Sequence, residues 1–247
     1  MKRYSQVGYS IYAIALYIVL MILLSPVFLI VFILPQPNRA NFIYSICKLW
    51  SSAWMILTGI IYKIKRLETQ KGKSPRIFIA NHRSYLDIVT LVRVLDRPTR
   101  VLGRHDICDL PVIGYFYKQA VIPVNRDSLT GRIESLLTVN RVLNKGLSVF
   151  IFPEGTFNES EHLLSSFHDG AFKLAIHTGT PIQPILFLDN YKRLNPAGTW
   201  NLSPGLSRIC VLKEVDVDGY TSKDVRLLKD LVWDQMLTEL KRQETNI

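Results

Sequence analysis

Arg76-Ile77-Phe78-Ile79-Ala80-Asn81-His82-Arg83-Ser84-Tyr85-Leu86-Asp87 changes character twice within twelve residues. Its first five residues, RIFIA, are a β-rich apolar run of the kind that forms a buried strand. The last residues open an amphipathic stretch, Ser84–Leu95, that predicts a helix. Between them lies a polar cluster at the C-terminal edge of a strand, a usual place for a site in an α/β sheet. His82 there has the chemistry of a general base, and Asp87 could accept its other N–H and fix the tautomer. The same residues have a purely structural use. Ser84-x-x-Asp87 is also a helix-capping pattern, with an acid placed well for the helix dipole. From this stretch alone the two readings stand level.

Working outward, Val121–Val124, Leu147–Phe152, Ile182–Leu188 and Arg208–Val217 predict further strands. Helical patterns cover about Ile133–Leu143, then Ala171–His177 and Lys223–Arg242. Strands alternating with helices imply an α/β domain with a mixed, largely parallel sheet flanked by helices. It is expected to span residues 67–247, after a Lys/Arg-rich linker at 63–75. No repeat or low-complexity tract interrupts it.

Residues 1–66 are of another kind. The 247-residue chain carries 30 basic and 20 acidic side chains, and mean hydropathy is +0.16. Seven of the basic residues and none of the acidic ones lie in 1–66, which leaves 23 against 20 for the remainder. Basicity confined to one terminus argues against a nucleic-acid surface and for a membrane. Ile11–Leu34 is an uncharged run which as a helix reaches ~36 Å, enough to cross a ~30 Å hydrocarbon core. Pro26 should kink it. It exceeds a signal-peptide core and no small-residue cleavage site follows, so it is expected to be retained. Leu49–Tyr62, with Trp50, Trp54 and Tyr62, is short for a span and suits an interfacial segment. A turn at Pro35–Asn38 would join the two runs as a hydrophobic helical hairpin. Lys2 and Arg3 before it, and Lys63, Lys65, Arg66, Lys71 and Lys73 after it, place both ends on the cytoplasmic side. Cys47, Cys108 and Cys210 are too few and too scattered for a disulfide framework. His105, Asp106, Cys108 and Asp109 match no zinc spacing and read as a polar loop with one buried thiol. No metal site is expected.

Two more clusters follow predicted strands. Phe152-Pro153-Glu154-Gly155-Thr156 comes after LSVFIF, and by itself is a Pro-Glu-Gly turn. Gly114 precedes VIPVNR, in which Arg126 closes a strand. Taken in order, these clusters resemble the glycerolipid acyltransferase family, which includes the bacterial 1-acyl-sn-glycerol-3-phosphate acyltransferases. Asn81, His82 and Asp87 match the family's Asn-His-x4-Asp motif. Gly114 and Arg126 match its middle motif, and Phe152–Thr156 its Phe-Pro-Glu-Gly-Thr. Pro181-Ile182-Gln183-Pro184 matches its Pro-rich strand, and Phe167-x-x-Gly170-Ala171 another recurrent stretch. The resemblance covers about residues 70–190, and the hairpin is similar to the membrane-docking module of bacterial members.

What the resemblance implies is transfer of a fatty acyl group from acyl-CoA or acyl carrier protein to the sn-2 hydroxyl of 1-acylglycerol 3-phosphate, a step of phospholipid biosynthesis giving phosphatidate. His82 would be the base and Asp87 would stabilise its imidazolium. Glu154, Gly155 and Thr156 would bind acceptor polar groups, and Arg126 the phosphate. No cofactor is implied beyond the acyl donor. The partners are membrane lipids and that donor, and the site would face the cytoplasm, at the inner membrane of a bacterium. One departure stands out. Many phosphatidate-forming members continue the third motif with Arg, where this chain has Phe157. Arg104 and Lys173 are then candidate substitutes. Two alternatives stay open: another lyso-lipid acceptor such as a lyso-amino-lipid, and an inactive membrane-anchored binding protein.

Overall fold

The computed structural model describes residues 3–28, 30, 35, 38–68, 75–95, 99–109, 113–125, 128–196, 198 and 200–245. Lys2 before the first apolar run, Gln36 and Pro37 of the expected turn, Lys71 and Lys73 of the linker, and Arg126 lie outside these residues. Eight α-helices and seven strands follow one another among them: α1 Arg3–Phe28, α2 Asn38–Leu57, β1 Ile60–Arg66, β2 Ile77–Ala80, α3 Leu86–Val94, β3 Thr99–Arg104, α4 Ile113–Ala120, β4 Val121–Val124, α5 Leu129–Asn144, β5 Ser148–Ile151, α6 Gly170–Thr178, β6 Ile182–Phe187, α7 Asn190–Arg193, β7 Gly205–Val211 and α8 Val225–Thr245. A 3₁₀ turn, Asp106–Asp109, buries Cys108 where the polar loop was expected. The expectation of a mixed, largely parallel sheet holds. Its seven strands run in the order β1-β7-β6-β2-β5-β3-β4. β2 pairs in parallel with both β5 and β6, and β3 with both β4 and β5.

The composition of the strands follows their places. Every residue of β2, β5 and β6 is buried, as strands covered on both faces must be, so apolar runs replace alternation. The edges are handled differently. β4 carries Pro123, which cannot donate to a ladder, and β1 carries Lys63, Lys65 and Arg66, which discourage pairing with another chain. Two strands escape the sequence reading. β1 looks like the tail of the second apolar run, and β3, TRVLGR, has two arginines among its six residues.

The chain divides into two compact units. One comprises Met1–Lys65, Arg83–Asp96 and Phe187–Ile209, the other Arg66–His82, Arg97–Leu186 and Cys210–Ile247. In the first, α1 and α2 pair as the hairpin reading expects. Ala13, Trp54, Met55, Ile60, Leu86 and Leu202 form its apolar core, so the hairpin shares that core with α3 and with the loop before β7. Polar bonds fasten α1 near its start. Gln6 donates to the Asn201 carbonyl (2.9 Å), the Leu202 N–H to Ser10 Oγ (3.2 Å), the Tyr9 hydroxyl to the Thr58 carbonyl, and Trp54 Nε1 to the Ala13 carbonyl (2.9 Å). α2 is tied to α3 along its length. Tyr44 donates to the Leu95 carbonyl (2.7 Å), Ser51 to the Val89 carbonyl (2.6 Å), and Arg93 to the Ser52 hydroxyl (2.5 Å). The second apolar run therefore differs from its expected form. Its helix begins at Asn38, not Leu49, and Ile60–Tyr62 belong to a strand.

The second unit is held at the entry to β2 by Arg76, only 1% exposed, whose Nε donates to Glu214. A guanidinium taken out of water needs its charge partner, since removal of one member of such a pair costs about 3–5 kcal/mol. Glu214→Ala is therefore expected to lower unfolding stability by about 3 kcal/mol, read as a drop in the denaturant midpoint with the slope unchanged.

Candidate active site

Parallel pairing of β2 with β5 brings their C-terminal ends side by side, and two of the expected clusters leave from those ends. His82 follows β2; Phe152–Asn158 follows β5. The second segment wraps the first. Glu154 Oε1 accepts the His82 N–H (2.8 Å), and the Asn158 N–H donates to the His82 carbonyl (2.7 Å). The imidazole stacks on Phe152, with ring centroids 3.8 Å apart and planes at 15°, and Phe157 lies tilted against it at 4.0 Å and 34°.

Glu154 has a use that the sequence reading did not give it. It is 6% exposed, and its other oxygen, Oε2, accepts the Ser165 N–H (2.9 Å). Burial pushes its carboxyl above the ordinary range, against the two N–H donors, which favour the anion. Both oxygens are thus engaged by backbone, so Glu154 shapes the site from beneath instead of presenting a free carboxylate. Gly155 turns at φ +77°, and a Cβ there would come within 2.8 Å of the His168 ring. Only glycine meets both demands. Thr156 is exposed at the tip of the turn.

Asp87 performs the capping role in full view. Its Oδ2 accepts the N–H groups of Arg83 and Ser84 (both 2.9 Å), closing the turn before α3. Its Oδ1 accepts from Asn190 Nδ2 (2.8 Å), and Asn190 in turn accepts from the Ser207 hydroxyl (2.6 Å). All of these side chains are buried. Arg83 lies with its guanidinium 4.3 Å over the Tyr191 ring. Asn158, Ser165, Asn190 and Ser207 were not foreseen, because each is an ordinary polar residue in sequence and becomes a partner only through the fold.

The remaining described candidates lie on other elements, Arg104 on β3, Gly114 on α4 and Lys173 on α6. Arg104 is exposed and held in a two-point pair with Asp106 (3.0 and 2.6 Å). Lys173, also exposed, lines a cavity of about 490 Å³ with Ile176, His177, Ser222 and Val225. Gly114 has a steric reason to be glycine, since a Cβ would overlap the Cys108 carbonyl. Arg126 lies outside the described residues. Among the described residues no cluster of His, Cys, Asp and Glu is placed to hold a metal.

The double acceptance by Glu154 is testable. Glu154→Gln keeps the shape but turns an NH₂ donor toward one of two buried N–H groups. An unfulfilled buried donor costs about 1–3 kcal/mol, so the variant is expected to lose that much stability in denaturant unfolding. Because burial raises the wild-type carboxyl, ionising it costs stability as pH climbs from the ordinary glutamate value through the raised one; the Gln variant lacks this dependence.

The acyltransferase family model matches residues 61–188 of the chain. A chloroplastic 1-acyl-sn-glycerol-3-phosphate acyltransferase of Arabidopsis thaliana is 33% identical over 202 residues, 80% of this chain and 54% of the plant protein. The chain thus spans about half the length of that chloroplastic relative. The 1-acyl-sn-glycerol-3-phosphate acyltransferase of Haemophilus influenzae is 30% identical over 189 residues, 76% of this chain and 77% of that one. In fold, the crystal structure of the 1-acyl-sn-glycerophosphate acyltransferase of Thermotoga maritima superposes with a TM-score of 0.81, over 99% of this chain and 98% of its own, at 16% identity. With its strand-end motifs inside the matched segment, the chain belongs to the acyltransferase family.

Proposed function

We propose that this protein moves a fatty acyl group from an acyl thioester, acyl-CoA or acyl carrier protein, to the sn-2 hydroxyl of 1-acylglycerol 3-phosphate, giving phosphatidate. The observation that carries the reading is the His82 imidazole held by the Phe152–Asn158 turn at neighbouring strand ends, in a chain whose relatives are named for that reaction. His82 takes the hydroxyl proton as the oxygen attacks the thioester carbonyl. The C–O bond forms, the C–S bond breaks, and the proton passes from His82 to the departing thiolate. General base catalysis of this kind is worth about 10²–10⁴-fold. Asp87 supplies the negative charge that favours the imidazolium. Gly155 and Thr156 meet the acceptor's polar groups, and Arg126 its phosphate. Phe157, standing where the family resemblance leads to an Arg, favours a second acceptor class, a lyso-lipid without a phosphomonoester.

The first unit supports membrane docking. α1 is apolar over Tyr4–Val27, with only 11% of its most apolar window buried, and by length and composition could cross a bilayer. Its first turns are bonded to residues 58, 201 and 202, and about 15 residues beyond Ala13 remain. The α1–α2 hairpin thereby offers lipid an apolar surface fastened to a folded core, and a lipid acceptor resides in that same bilayer.

Protein reconstituted in vesicles with lysophosphatidate and oleoyl-CoA, or oleoyl-acyl carrier protein, is expected to form phosphatidate. His82→Ala should reduce turnover by at least about 100-fold with folding unchanged by circular dichroism. Turnover with a phosphate-free lyso-lipid in preference to lysophosphatidate would move the assignment to the second class. Failure of both acceptors with either donor would refute acyl transfer. For docking, Ile18 and Ile22 are 51% and 64% exposed. Replacing both with Ser should weaken vesicle binding by about ten-fold or more, while activity on a short-chain acceptor in detergent persists.

A further inference from the structure

The rings around His82 deepen the acyl-transfer reading. Two aromatic rings lie 3.8 and 4.0 Å from one imidazole and within 34° of parallel to it. Rings so close and so nearly parallel cannot share a face without overlapping, so Phe152 covers one face of His82 and Phe157 the other. The backbone is fixed as well, through the Glu154 carboxylate at the His82 N–H and the Asn158 N–H at the His82 carbonyl. With both faces covered by phenyl rings, what the imidazole presents is its edge, which carries the two nitrogens.

We infer that Phe157 is a positioning residue for the reaction: it completes an aromatic sandwich that fixes the plane of the His82 ring and confines proton transfer to its edge. A base held this way meets the acceptor hydroxyl in one orientation, and small losses of orientation at a reacting centre are expensive in rate. The inference rests on His82 acting as the base, while the ring geometry can be tested apart from any activity.

The experiment uses the full-length protein in detergent with histidine rings labelled with ¹³C. Five histidines give five Cε1–H and five Cδ2–H signals, and those of His82 are identified by their loss in His82→Gln. Protons above phenyl faces are shielded, so the His82 ring signals are expected upfield of the other four and should move downfield in Phe157→Leu. In the same variant kcat should fall by roughly ten-fold, the scale of one aromatic contact, with KM for acceptor and donor little changed. Phe157→Tyr should restore both the shielding and kcat. Unshifted His82 signals in Phe157→Leu would overturn the sandwich even if the enzyme were inactive toward every acceptor tried. Shifted signals with kcat intact would overturn the positioning role and leave acyl transfer standing. Phe157→Arg is the last arm. It is expected to lose kcat as the Leu variant does, because it brings positive charge beside a ring that must become cationic. A gain in kcat/KM for lysophosphatidate would instead make residue 157 an acceptor-recognition position and refute the inference.

Discussion

A buried carboxylate between two backbone amides organises the second unit's strand-end chemistry. Glu154 faces the end of β2 through the His82 N–H and the approach to α6 through the Ser165 N–H, so one side chain sets the spacing of two chain segments. Both amides bond to a buried carboxylate, and each would cost free energy if left unpaired. Everything nearby is built on that anchor. The turn at Gly155 passes under His168, Phe152 and Phe157 close on the imidazole, and Trp233 of α8 donates to the Ser165 carbonyl from the far side.

In the first unit the organising constraint is different. Most of α1 lacks a protein partner on its outer face, and many of its large apolar side chains are exposed. Its inner side packs on the apolar core through Ala13, Leu16 and Leu20 and is fixed in register by directional polar bonds. Such bonds set where the hairpin lies without covering the surface it offers to lipid. The arrangement explains how one helix can look like a membrane span in composition while being fastened to a folded core at its beginning.

The sequence disclosed these features unevenly. Strands buried on both faces announce themselves as apolar runs, so β2, β5 and β6 were legible, and the clusters at their ends with them. β1 and β3 were not, because charged residues on partly exposed strands leave no periodic signal. His82 and the Phe-Pro-Glu-Gly-Thr turn could be paired by resemblance, yet nothing in the order of residues reveals that Glu154 spends both oxygens on backbone. Nor does it reveal that Phe157, noticed only as a missing Arg, lies against His82. Asp87 was ambiguous between capping and chemistry; its hydrogen bonds show that capping is one of its uses.

The bonds from Gln6 to Asn201 and from Leu202 to Ser10 join residues 195 and 192 positions apart. During synthesis the first helix therefore leaves the ribosome long before its partners exist. At about 5–20 residues per second, the delay is on the order of 10–40 s. Through that interval a stretch of bare hydrocarbon-like surface must be kept from other chains. A bilayer is the natural shelter for such a surface, so lipid serves this fold as a holding partner while the rest of the chain is made.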